Sequence, residues 1–223
     1  MDFVKTFTEG PFGHGLIFVV LSLIPIVNPL GMAPIFLEYT QDLDNPTTRR
    51  LARRVAINGF FLAAASLLVG PFVLEFFGIS LAAVRIAGGL VIAFAGWRLL
   101  NQSQDDARER IASVSAETAM SRAFYPLTLP LTIGPGSIAV LLTVGSNIPY
   151  EGAKAVFDGI GAIVGIAVTC LAVYLCYSRA EPILKRLGRN GVTVLLRLSA
   201  FILLCIGVQI TIEGIRSIST LAK

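Results

Sequence analysis

The feature that leaves this chain least choice is a series of apolar blocks. Each is long enough to cross a bilayer as a helix, which takes ~20 residues. Six are visible, over residues 16–37, 55–77, 79–100, 124–145, 153–176 and 192–214. Only 14% of residues are charged and the mean hydropathy is +0.77, whereas a soluble domain carries about 25% charged residues. The short alternating strands of a membrane β-barrel are absent from the pattern. The expected fold is an all-α membrane protein with six transmembrane helices.

The leader before the first block mixes Lys5 with Asp2 and Glu9, and no small-x-small site follows the apolar stretch. A cleaved signal peptide is therefore not expected. Cys170, Cys176 and Cys205 lie within apolar spans and read as small core residues, not as a disulfide framework. His14 is the only histidine, which argues against a histidine-built metal site. No cofactor is expected.

The basic balance of +4 has a topological explanation. Lys and Arg concentrate in loops facing the cytoplasm. Twelve of the 18 fall after spans one, three and five, the second group counted from the end of its helix: Arg49, Arg50, Arg53 and Arg54; Arg98, Arg108, Arg110 and Arg122; Arg179, Lys185, Arg186 and Arg189. The opposite side holds Lys5, Lys154, Arg216 and Lys223. Both termini are expected outside, and nucleic acid is not expected as a partner.

The polar segment 101–121 divides the chain into two sets of three spans, 1–100 and 122–223, and reads as a cytoplasmic linker with a short surface helix. PIVNPLG (25–31) in the first set answers to PLTIGPG (130–136) in the second, at a constant offset of 105. RIAGGLVIAFAG from Arg85 is echoed by RLSAFILLCIGV from Arg197. Three spans per unit is an odd number, so the second unit must insert upside down. An inverted repeat of this kind is shared by many secondary transporters.

Proline removes a backbone N–H and clashes with the preceding turn. In hydrocarbon a broken helix persists only where protein buries it or where it lines a wet cavity. The two proline–glycine clusters are therefore expected to interrupt spans one and four. Their half-helix N-termini suit a carboxylate, and their unwound carbonyls suit an ammonium group or a cation. Simple kinks are the alternative, since Pro and Gly are frequent in membrane helices.

At these residues the sequence resembles the MarC family of bacterial inner-membrane proteins, which includes the SnatA-type small neutral amino-acid transporters and is akin to the LysE-type exporters. NPLG (28–31), PLTLPLTIGPG (126–136), RIAGG (85–89), Arg197–Leu198, Gln209 and EGI (213–215) carry the resemblance. It spans essentially the whole chain. It implies six membrane helices in a bacterial inner membrane. Thr128 and Thr132 add hydroxyls where relatives are expected to hold small apolar residues, and GRNG (188–191) is more polar than the family pattern.

The candidate substrate-binding residues are Asn28, Pro29 and Gly31 at the first break, and Thr132, Gly134, Pro135, Gly136 and Ser137 at the second. Asn28 can bind substrate, cap the following half-helix, or do both. For Thr128, Thr132 and Ser137 the alternative is a hydrogen bond to a carbonyl one turn back. Arg85 with Glu75, and Arg197 with Glu181, are candidate ion pairs toward opposite faces, with snorkelling as the alternative. Asp158 is expected to be solvated near the outer end of span five. The Gly161 and Gly165 spacing marks close helix packing, within the chain or between copies in a homo-oligomer.

The leading expectation is a transporter of neutral amino acids by alternating access. A non-transporting scaffold or assembly factor is the alternative. An enzyme is not expected, because the Ser–His pair, the HExxH motif and the paired deep carboxylates of intramembrane catalysis are missing.

Overall fold

The computed structural model describes residues 11–101, 120–148 and 153–221. Among them are eight helical segments: α1 Pro11–Val27, α2 Pro29–Thr40, α3 Asn45–Phe76, α4 Leu81–Asn101, α5 Ala123–Thr132, α6 Pro135–Asn147, α7 Ala153–Ser178 and α8 Ala180–Leu221. Four of them are long and apolar enough to cross a membrane: α3, α4, the 155–178 part of α7 and the 190–218 part of α8. The pairs α1–α2 and α5–α6 are each apolar enough together but are bent, by 44° and 68°. The count is six if each bent pair is one span. The interior of the expected linker lies outside the described residues.

Two boundaries differ from the sequence reading. α3 starts at Asn45, ten residues ahead of its apolar block, with a proline in its first turn. Arg49, Arg50, Arg53 and Arg54 are thus a polar helical extension and not a loop; arginine is a good helix former. α8 likewise continues back through GRNG, and only Gly188, at φ 67°, departs from helical geometry there. α3 ends at a tight turn where Gly78 takes φ 63°. Its N–H donates to Glu75 O, and the Ile79 N–H reaches back to Leu74 O. These two bonds satisfy carbonyls that a helix end leaves open.

The packing is arranged around two helix groups. α7 lies against α1, α2 and α3, while α3 also packs on α5 and α6. Val19, Leu23, Val55, Leu67, Leu141 and Ile166 belong to the core they share. The second group is the pair α4 and α8, joined to the rest through α4–α6 and α2–α8 contacts. The outward faces are apolar: Phe61, Phe72, Phe94, Trp97 and Phe201 are all exposed. That is the surface expected of a protein solvated by lipid.

α4 and α8 run antiparallel along a seam of small residues spaced by seven. Ala82, Gly89 and Gly96 on α4 meet Ala200, Gly207 and Gly214 on α8. The contacts are reciprocal. A Cβ on Gly89 would lie 2.7 Å from Gly207 O, and one on Gly207 would lie 2.6 Å from Gly89 O. Gly96 faces Ala200 O in the same way that Gly214 faces Ala82 O. Only residues without bulk allow two backbones this close, and close backbone contact is what holds helices together when lipid removes the hydrophobic drive between them.

Candidate functional site

The first break centres on Asn28, which takes the left-handed conformation at φ 46° and ψ 60°. Asparagine is among the few residues that adopt it readily. Pro29 offers no N–H to Pro25 O. The Gly31 N–H donates to Asn28 Oδ1 at 3.1 Å and so is lost to Val27 O. A side chain on Gly31 would collide with the Asn28 amide that folds over it. The other amide atom, Asn28 Nδ2, is buried and has no hydrogen-bond partner among the described residues. Asn28 therefore caps α2 with its oxygen and leaves a donor unspent.

The second break is built differently. Tyr125 and Leu129, each preceding a proline, are extended, as the proline ring demands of its neighbour. The bonds that remain across α5 are widened: Leu127 N–H reaches Arg122 O, and Ile133 N–H reaches Thr128 O. Thr128 Oγ1 donates to Ala123 O at 2.8 Å and Thr132 Oγ1 to Leu127 O at 2.7 Å. These hydroxyls serve the Ala123 and Leu127 carbonyls inside the disrupted segment. α6 then starts from Gly134 with no side-chain cap. Pro135 fills its first turn, Ile138 N–H bonds Gly134 O, and the N–H groups of Gly136 and Ser137 receive no cap from Gly134.

Tyr177 of α7 links the two broken spans. Its ring stacks on Phe36 of α2, with centroids 4.4 Å apart at 16°. Its hydroxyl lies 3.1 Å from Thr132 Oγ1 at the end of α5. Phe36 and Tyr177 have no exposed surface and Thr132 is 3% exposed. Val27, Ala33 and Phe36 around the first break share one buried cluster with Leu127, Ile133 and Leu141 around the second. Sequence reasoning missed Tyr177, because a tyrosine near the end of an apolar span reads as an interface anchor.

The other candidate residues divide. Pro29 and Gly31 are buried at the first break; Thr132 and Ser137 are buried at the second, whereas Gly134 between them is half-buried and Pro135 is exposed. Gly136 is also buried, and its Cα faces Ile92 of α4. Neither expected ion pair is formed among the described residues. Arg85 Nη1 donates to Ser217 Oγ at 3.2 Å, across the α4–α8 seam, while Glu75 is exposed, one residue before the end of α3. Glu181 pairs with Lys185 on its own helix, four residues on, and Arg197 is exposed. One member of each expected pair is thus engaged elsewhere: Arg85 across the seam and Glu181 along its own helix.

Asp158 also departs from expectation. It is 8% exposed, and its Oδ1 has no hydrogen-bond partner among the described residues. The cause is Gly15, whose bare Cα lets α1 press against the Asp158 backbone and cover this turn of α7. Gly165 does the same further along α7, against Leu16 and Val19, so this part of the small-residue spacing serves packing within the chain.

Residues 13–219 match the family described as MarC family integral membrane protein. Inner membrane protein MarC of Salmonella typhimurium is 31% identical over 208 residues, covering 89% of this chain and 93% of that protein. Its counterparts in Escherichia coli and Citrobacter koseri are 30% identical with the same coverage. No solved structure matches the chain. A family match over nearly the whole length, together with these apolar helices, makes this chain a member of the MarC family of integral membrane proteins.

Proposed function

We propose that this protein is a transporter of small neutral amino acids working by alternating access in a bacterial inner membrane. The observation that carries the reading is the pair of unlike helix breaks bordering one buried cluster. The substrate carboxylate is assigned to the uncapped N–H groups of Gly136 and Ser137, at the positive end of α6. The ammonium is assigned to the Pro25 and Val27 carbonyls, which lack their helical donors. Asn28 Nδ2 supplies one more donor. This division needs no charged side chain, and close packing leaves room only for a small substrate.

An inverted repeat of 1–100 and 122–223 belongs to the same proposal. The packing pattern supports it. Exchanging the halves maps α1–α7 onto α3–α5, α2–α7 onto α3–α6 and α4–α6 onto α2–α8, and it returns α4–α8 and α3–α7 to themselves; all of these pairs are in contact. The reciprocal glycine contacts of the seam fit a two-fold axis in the membrane plane. The distribution of positive charge supports termini on the outer side, and the names of the relatives support the inner membrane.

The test is exchange of labelled glycine, alanine and serine by purified protein in proteoliposomes. Wild type is expected to move at least one, and Asn28→Gly to move it much more slowly while remaining folded. No exchange of any of the three overturns the substrate assignment; equal exchange by Asn28→Gly overturns the site.

A further inference from the structure

We propose that the groove between α3 and α7 is a binding site for an anionic phospholipid, with one acyl chain in the groove and the phosphate on Arg53. The groove has a volume of about 590 Å³ and is lined by Arg53, Ile57, Phe61, Ala167, Leu171 and Tyr174 among others. Apart from Arg53 and the Tyr174 hydroxyl its wall is apolar. From Arg53 to Phe61 it follows α3 for ~12 Å at 1.5 Å per residue. It is therefore a slot with one cationic end, the shape and polarity of a lipid's chain and head.

The charge at that end is what commits the slot to an anionic occupant. Arg49, Arg50 and Arg53 lie on one stripe of α3, at the spacing that puts residues on a common helix face. All three are exposed, and none makes an ion pair among the described residues. Asp42 and Asp44, in the turn just ahead, are exposed and do not pair with them. Cys170 of α7 lies level with Gly59 of α3, so the antiparallel register brings Tyr174 and exposed Arg179 toward the same end. A phosphodiester supplies the missing negative charge, and arginine's planar fork matches its oxygens. A zwitterionic head brings its own cation into this cluster and gains less.

The experiment is native mass spectrometry of the detergent-purified full chain with added phosphatidylglycerol or phosphatidylcholine of identical acyl chains. Wild type is expected to retain phosphatidylglycerol about tenfold better. Each arginine near a membrane surface contributes roughly 1 kcal/mol toward anionic lipid, about fivefold. Arg53→Gln should therefore lower phosphatidylglycerol retention about fivefold, with phosphatidylcholine unchanged and Arg53→Lys recovering part of the loss. Ile57→Trp, which fills the slot, should lower retention of both lipids. Thermal unfolding without added lipid checks that each variant is folded. Equal retention of the two lipids by wild type, or no effect of Arg53→Gln, overturns the proposal. So does competition by soluble glycerol phosphate at the same concentration, since the site would then hold a free anion. None of these outcomes depends on transport activity.

Discussion

The hydroxyl of Tyr177 sits 3.1 Å from Thr132 Oγ1, so a residue of α7 holds the end of α5 while its ring holds Phe36 of α2. Two broken spans are pinned by one side chain. The polar and aromatic halves of that contact are separable by mutation. Tyr177→Phe should cost about 1 kcal/mol, the usual net worth of one hydrogen bond, with the stack kept. Tyr177→Ala should cost ~3–5 kcal/mol, as for other large buried aromatics. Thermal unfolding in detergent measures both. Equal losses would mean that the ring contributes nothing to the link.

Asn28 combines a left-handed backbone, a cap and a spare donor, and two substitutions separate these. Asn28→Gly keeps the backbone conformation easily and should cost a few tenths of a kcal/mol in stability. Asn28→Ala loses the cap and is strained in that conformation, for a total of about 2 kcal/mol. Exchange activity should fall alike in both, because the amide is absent from both. Activity that instead tracks stability would leave Asn28 with a capping role alone.

The α4–α8 seam should reject side chains that other glycine positions tolerate. Gly207→Val drives a branched side chain into the α4 backbone and should cost at least the ~1–3 kcal/mol of an overpacked core. Gly159, where an added methyl group would meet nothing within 4 Å, is the control. Gly159→Ala should be neutral or stabilising by up to ~1 kcal/mol through helix propensity. Unfolding temperatures of the two variants in one detergent decide the matter.

Gly136 faces Ile92, so a mutation there disturbs packing as well as the proposed site. Gly136→Ala should destabilise by ~1–3 kcal/mol, and Ile92→Ala on top of it should recover part of the loss. Exchange should stay low in the double variant if the added methyl obstructs the carboxylate position. Full recovery of both properties would leave Gly136 a packing residue only.

The orientation is checked by reporter fusions. An enzyme active only outside the cytoplasm should be active when fused after the last residue and inactive when fused within the 101–121 segment. The reverse pattern would invert every assignment of inner and outer ends.

Much of this architecture was legible because proline and glycine act locally. The breaks at Asn28 and Gly134 follow from ring geometry and missing N–H groups, whatever surrounds them. Thr128 was legible for the same reason, since its back-bond is to its own segment. What the sequence hid depends on a distant partner. Asp158 is buried because Gly15 is small, and no pattern within α7 announces that. Tyr177 gains its role from Phe36 and Thr132, 141 and 45 positions away in sequence. The paired glycines of α4 and α8 repeat every seven residues, a period easily lost in a uniformly apolar stretch.

The seam of α4 and α8 has a mechanical side. Two helices that meet through interlocked side chains must unlock rotamers before they can move. These two meet mostly through backbone, and the side chains that cross are few: Ile86 against Gly214, Thr211 against Gly89, and Arg85 bonded to Ser217. The seam is thus a tight joint between the two halves of the chain, closed along its length by bare backbone and pinned at the Arg85 end by one hydrogen bond.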